Sequence, residues 1–171
     1  MSPARPVPPR ARLLTLTIFA AAFGWLEAVV VVYIRGLVGI LRTATMPPAA
    51  EVTRRFQELP WLMPTEQTRE AATILMLASI AWLAARSWRR RFGAFLFCFG
   101  VWDITYYVAL YVMIRWPPSL ATMDLLFLIP PHPWWYQPVW VPVLISCGFI
   151  ATGLALIRIG ARPYRLRTPS G

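Results

Sequence analysis

The sequence contains no lysine, a single histidine and two cysteines, and each shortage excludes a class of site. One histidine cannot supply bis-histidine haem ligation or a multi-histidine metal centre from this chain alone. Cys98 and Cys147 have no metal-type spacing and form no disulfide framework, so we expect small buried residues. The sequence also lacks a P-loop, a GxGxxG, a CxxC and a Ser-His-Asp order. Motifs of known catalytic sites therefore give no guide to function.

Acidic residues are scarce as well, with 7 Asp and Glu against 17 basic residues, all of them arginine. A basic protein binds nucleic acid when its cations cover one soluble face. Here the arginines lie at the ends of apolar runs, so we expect no nucleic-acid partner. The absence of lysine is consistent with GC-rich coding and with a preference for arginine at membrane edges.

Apolar residues are abundant, at 58% of the 171 residues, and the mean hydropathy is +0.55. About 20 apolar residues are needed to cross the hydrocarbon core of a bilayer, and four runs approach that length. The sequence therefore predicts an all-α polytopic membrane protein whose single domain, 13–160, is a four-transmembrane-helix bundle. The predicted spans are 13–35, 68–88, 92–115 and 139–158.

The two ends of the chain indicate how the bundle is oriented. Residues 1–12 are expected to be a disordered tail and 161–171 a basic tail. A cleaved signal peptide competes for the N-terminus, but the apolar run that follows is too long for one. Arginines concentrate in both tails and in the turn between the second and third spans, which the positive-inside rule places in the cytoplasm. We expect a bacterial cytoplasmic (inner) membrane protein with both termini cytoplasmic and loops 42–67 and 116–138 outside.

The first outer loop has the pattern of a short amphipathic helix over 50–59. Val52, Phe56 and Leu59 fall on one helical face, and opposite charges spaced i,i+4 fall on the other. The charged pairs are Glu51/Arg55 and Arg54/Glu58. This pattern predicts an interfacial helix on the outer membrane surface.

The second outer loop has an apolar patch, 125–129, between two proline clusters. The patch is too short to span, so a re-entrant or interfacial segment is expected. Asp124 has the position of a helix-start residue, and His132 that of a surface loop residue. The aromatic residues around the patch are expected to form a belt at the outer interface: Trp116, Trp134, Trp135, Tyr136 and Trp140.

Two carboxylates interrupt the apolar runs, Glu27 in the first span and Asp103 in the third. An ionisable group at membrane depth costs about 2.5–3.5 kcal/mol on insertion scales, so it needs a partner, a cavity or a function. Two interpretations stay open. The carboxylates pair with Arg35, Arg69 or Arg115 and fix helix packing, or they carry chemistry.

Helical spacing predicts which polar residues meet. Glu27 and Arg35 share one face of the first span, beside a small-residue stripe of Ala20, Gly24 and Ala28. Glu27 and Asp103 are the candidate catalytic residues of one outward-opening pocket. The candidates for binding substrate or lipid there are Arg35, Arg69, Glu70, Tyr106, Tyr107, Tyr111, Arg115, Asp124 and His132. A metal site built from Glu27, Asp103, Asp124 and His132 is the weaker interpretation, so no metal and no cofactor are assigned.

The stretches REAAT, FGVWDITYY, WPPSL and DLLFLIP, with a later PW, resemble a group of bacterial four-helix integral membrane proteins. The resemblance covers nearly the whole chain. It implies the four-helix architecture and implies no activity.

Three classes of function remain open from the sequence. The leading one is a small integral subunit or assembly factor of a larger membrane complex, because the chain is small and its small-residue faces suit partner helices in the lipid bilayer. The second is a membrane enzyme acting on a lipid or lipid-linked substrate at the outer leaflet, with the arginines holding phosphate or carboxylate. The third is proton or solute translocation along the stripe of carboxylates and tyrosines.

Overall fold

The computed structural model describes residues 8–41, 46–129 and 132–159. The protein is mostly helical, at 76% helix, with five α-helices in the described part. The helices are α1 (Pro9–Leu37), α2 (Ala49–Gln57), α3 (Leu62–Ala84), α4 (Trp88–Ile114) and α5 (Trp140–Ile159). A 3-10 turn (Pro133–Trp135) and two short strands, β1 (Met123–Leu125) and β2 (Tyr136–Pro138), lie between α4 and α5.

Three helices within the described ranges, α1, α4 and α5, are long and apolar enough to cross a membrane. Helix α3 has the length of a span, at 23 residues. Its first half contains Glu66, Arg69 and Glu70, which lower its hydropathy. The prediction of a mostly helical protein with apolar helices that could cross a membrane is therefore confirmed, for three of the four predicted spans.

The helix ends differ from the predicted ends in ways that have local causes. Helix α1 begins at Pro9, before the predicted start at residue 13, because proline at the first helical position has its φ already set. Helix α3 begins at Leu62, before the predicted start at residue 68, and ends at Ala84 because Ala85 is extended. The turn to α4 is therefore 85–87, earlier in the chain than the predicted spans place it. Residues 1–7 and 160–171, which hold most of both predicted tails, lie outside the described residues.

Helix α4 is the central element and packs on α1, α3 and α5. Glycines allow these close approaches: a Cβ atom at Gly100 would lie 2.5 Å from the Ser146 carbonyl oxygen on α5. The small stripe of α1 packs the same way, since Ala20 and Ala28 are fully buried and Gly24 lies against the Trp102 carbonyl group of α4. This stripe therefore packs inside the bundle, as its small-xxx-small spacing predicts.

Helix α2 forms the predicted ion pairs, Arg55 with Glu51 and Arg54 with Glu58. Hydrogen bonds from Arg54 and then Arg55 lower the pKa of Glu51 to about 2. On the opposite face, Val52 and Phe56 are buried, in a cluster with the end of α1 and the start of α3. The apolar face of α2 thus packs on the protein itself.

The segment between α4 and α5 closes one end of the bundle, where α1 and α4 finish and α3 and α5 begin. We call this the loop end. Strands β1 and β2 pair antiparallel, with Asp124 opposite Gln137. Asp124 therefore lies in a strand and starts no helix, and this sheet is absent from the all-α prediction. Trp116, expected in the aromatic belt, is buried, whereas Trp134 and Trp140 are exposed.

Candidate functional site

A cavity of about 320 Å³ lies between the helices at the loop end. We call it the charged cavity. Its lining comes from α1, α2, α3, α4 and α5 and from residues 124–128 of the closing segment. Eight predicted site residues line it within the described ranges: Glu27, Arg35, Arg69, Glu70, Asp103, Tyr106, Tyr107 and Asp124.

Three predicted site residues, Tyr111, Arg115 and His132, do not line the charged cavity. Eight residues make about 2.2 helical turns, so Tyr111 is rotated by about 80° from Asp103 and faces outward. Arg115 ends α4 in a left-handed conformation (φ 55°), and its guanidinium lies 5.5 Å from the Tyr111 ring. His132 is exposed, and its Nδ1 accepts a hydrogen bond from the Trp134 peptide N–H at 3.1 Å.

Glu27 belongs to a charged group that joins α1 to α3. It is 8% exposed and accepts hydrogen bonds from Arg69 Nη1 and from Thr73 Oγ1. Arg69 Nε also donates to Glu66 Oε2 at 2.7 Å. Sequence reasoning missed Glu66 and Thr73, although the i,i+3 spacing of Glu66 and Arg69 was a usable signal. Glu27 is thus held in place by a cation and a hydroxyl.

A second charged group joins α1, α4 and β1. Arg35 Nη2 lies 3.5 Å from Asp124 Oδ1, and Tyr107 Oη donates to Asp124 Oδ2 at 3.1 Å. The Arg35 guanidinium also stacks 3.5 Å above the centre of the Trp116 ring. Burial raises the pKa of Asp124 above its usual range, against the opposing charge of Arg35 and the hydrogen bond from Tyr107. The Asp124 carboxylate thus neutralises Arg35, and the Trp116 ring shields one face of its guanidinium from water.

Asp103 has a different environment from the other carboxylates. Its one hydrogen bond among the described residues is from Ser146 Oγ of α5, at 2.8 Å. No described arginine lies within ion-pair distance of it. Ser146 is 1% exposed and was missed by sequence reasoning, because it is a lone hydroxyl in the apolar run of α5. Aromatic side chains line the cavity with Asp103, notably Phe99, Trp102 and Tyr106.

Glu70 holds the closing segment against α3. Both of its carboxylate oxygens lie within hydrogen-bond distance of the Leu128 peptide N–H, at 3.0 and 2.9 Å. Gln67 Nε2 donates to the Leu128 carbonyl oxygen at 3.2 Å. Two α3 side chains therefore bind both backbone polar groups of one residue, Leu128, which fixes the apolar residues around it over the cavity.

The charges of the cavity do not balance. Among the lining residues described, five are carboxylates and two are arginines, and each arginine already has a carboxylate partner. A bound anion would have to compete with these partners, whereas a cation or a proton would relieve the excess. The described residues contain no group of three or more His, Cys, Asp or Glu that could hold a metal ion.

Comparisons of the chain with known protein families, curated proteins and solved structures find no match. The chemistry of the charged cavity is therefore the basis on which a function is inferred.

Proposed function

We propose that α1, α3, α4 and α5 all span the cytoplasmic membrane of a bacterium, with α2 at the outer surface and both termini in the cytoplasm. Support for α3 comes from its length: 23 residues rise about 34 Å, enough for a hydrocarbon core of about 30 Å. The arginines that follow it, Arg86 and 89–91, favour a cytoplasmic position for the turn to α4.

Within that arrangement we propose a membrane enzyme that acts on a lipid or lipid-linked substrate at the outer leaflet. One observation carries this proposal: Asp103 lines a cavity of about 320 Å³ and has no arginine partner among the described residues. A carboxylate that no cation neutralises is free to exchange a proton with a bound molecule, which is the role of a general acid or base. Glu27, held by Arg69, acts as a structural ion-pair member.

One further observation favours this class over solute translocation. At the end opposite the loops, a packed apolar core that includes Leu16, Leu77 and Phe97 fills the space between the helices. A packed core supports binding in the cavity over passage of a solute through the bundle.

Purification of the full chain in a mild maltoside detergent tests the proposal. We expect mass spectrometry to find one amphiphile enriched over the bulk lipids at near one per chain. The amount should fall at least several-fold in Asp103→Asn and stay unchanged in Glu51→Gln, whose carboxylate lies on α2 outside the cavity. A stoichiometric partner protein with no enriched amphiphile would refute the proposal in favour of a complex subunit.

A further inference from the structure

A second depression, of about 570 Å³, lies on the side of the bundle. It runs between α3, which contributes Ala71, Ile74 and Leu75, and the closing segment, which contributes Phe127 and Ile129. All lining residues described except Glu70 are apolar. Leu75 is 67% exposed and Ile129 40%, so the depression opens sideways. We call it the apolar groove.

The apolar groove adjoins the charged cavity directly. Glu70, Phe99, Phe127 and Trp135 line both of them. In the proposed four-span arrangement the open side of the groove faces hydrocarbon, since the exposed residues of α3 around it are apolar. A molecule that lies in both spaces must therefore have a hydrocarbon part for the groove and a polar head for the cavity.

The lining of the cavity selects the charge of that head. Its carboxylates outnumber its arginines by five to two among the described residues, and Arg35 and Arg69 are both neutralised by carboxylates. Asp103 also lies among aromatic rings that line the cavity, including Phe99 and Trp102. A cavity lined by a carboxylate and aromatic rings suits an organic ammonium ion, because both groups attract a cation. A phosphate or carboxylate head has no such environment here.

We propose that the ligand is a membrane amphiphile with an ammonium head and a hydrocarbon chain, and that it enters sideways from the bilayer. Asp103 binds the ammonium group, and the apolar groove holds the chain. This rests on the proposed function in one respect, that the charged cavity binds the polar head of a ligand. It goes beyond that function by assigning the sign of the head and the place of the chain.

Three probes test the assignment with the full chain in nanodiscs of neutral lipid: dodecyltrimethylammonium, butyltrimethylammonium and dodecanoate. Equilibrium binding is measured by isothermal titration calorimetry. We expect dodecyltrimethylammonium to bind at least tenfold more tightly than either of the other two. Chain length accounts for the difference from the butyl compound, and head charge accounts for the difference from dodecanoate.

Variants separate the two parts of the site. Ala71→Phe fills the groove, and Ala72→Phe, one residue further along α3, lies outside both spaces and serves as its matched control. We expect Ala71→Phe to remove the preference for the longer chain without changing binding of the butyl compound, and Ala72→Phe to change neither. Asp103→Asn should weaken both cations about tenfold or more. Each variant is first compared with the wild type by thermal unfolding, and Leu75→Trp replaces Ala71→Phe if that variant is unfolded.

The possible failures are distinguishable. Equal binding of dodecanoate and dodecyltrimethylammonium would overturn the assignment of a cationic head. Equal effects of Ala71→Phe and Ala72→Phe would overturn the assignment of the groove, even with head binding intact. If Asp103→Asn leaves binding of both cations unchanged, the proposed function of the cavity fails together with this inference.

Discussion

Replacing Glu27 and Asp103 by their amides should affect the stability of the bundle very differently. Removing one member of a buried ion pair costs about 3–5 kcal/mol when the remaining charge is left without a partner. In Glu27→Gln, Arg69 keeps Glu66 and its side chain is 23% exposed, so we expect a smaller loss, about 2 kcal/mol. In Asp103→Asn no cation is stranded and the amide oxygen still accepts from Ser146. The expected change there is at most about 1 kcal/mol.

Reversible unfolding in mixed micelles of maltoside and dodecyl sulfate measures these free energies. A double-mutant cycle of Glu27→Gln with Arg69→Met isolates the interaction between the two helices, and its coupling energy should be about 2 kcal/mol. Glu51→Gln is the control for removing a carboxylate from an exposed ion pair, where we expect a much smaller effect than in Glu27→Gln.

Two results would contradict this reasoning. A coupling energy below about 0.5 kcal/mol would show that Glu27 and Arg69 do not hold α1 to α3. A loss for Asp103→Asn as large as that for Glu27→Gln would show that Asp103 is a structural residue, and the general acid or base would have to be sought elsewhere.

Three further predictions follow from packing, charge and topology. Gly100→Ala should lose about 1–3 kcal/mol of unfolding free energy by overpacking against α5, whereas Gly148→Ala, with open space beside it, should be neutral or slightly stabilising. Arg35→Met should cost about 3 kcal/mol of unfolding free energy at neutral pH, because it leaves the Asp124 carboxylate buried without its cation. Burial raises the pKa of Asp124, so this loss should shrink in acid, where Asp124 is protonated, and grow as pH rises. In intact cells, an impermeant maleimide should label Thr53→Cys and not Ser87→Cys; the opposite pattern would reverse the proposed orientation.

Much of the helical framework could be predicted from the sequence because hydropathy and helical phase are local properties. The ion pairs of α2 followed from i,i+4 spacing, and the phase of α1 and α4 correctly directed Glu27, Asp103 and Tyr107 toward the interior. Phase alone failed for Tyr111, where drift over two turns rotates the side chain outward.

The parts that could not be predicted depend on contacts between distant segments. The pairing of β1 with β2 joins two stretches of a proline-rich loop that have no marked strand pattern. Trp116 was assigned to the interface from its loop position, yet it lies under the Arg35 guanidinium. Ser146 becomes a partner of Asp103 because glycines such as Gly100 bring α5 against α4, which no local pattern reveals.

The ion pair between Glu27 and Arg69 also bears on how the chain enters the membrane. A charged residue at the centre of an isolated helix opposes its insertion by about 2.5–3.5 kcal/mol. The first half of α3 contains three charged residues, Glu66, Arg69 and Glu70. Helix α3 should therefore insert poorly alone and depend on α4, to which the turn at 85–87 joins it as a hairpin. In the proposed four-span arrangement α1 is synthesised before α3, so Glu27 would have no Arg69 to pair with until α3 enters the membrane. Truncation of the chain before Arg69 should therefore leave Glu27 unpaired and make α1 a substrate for membrane quality-control proteases.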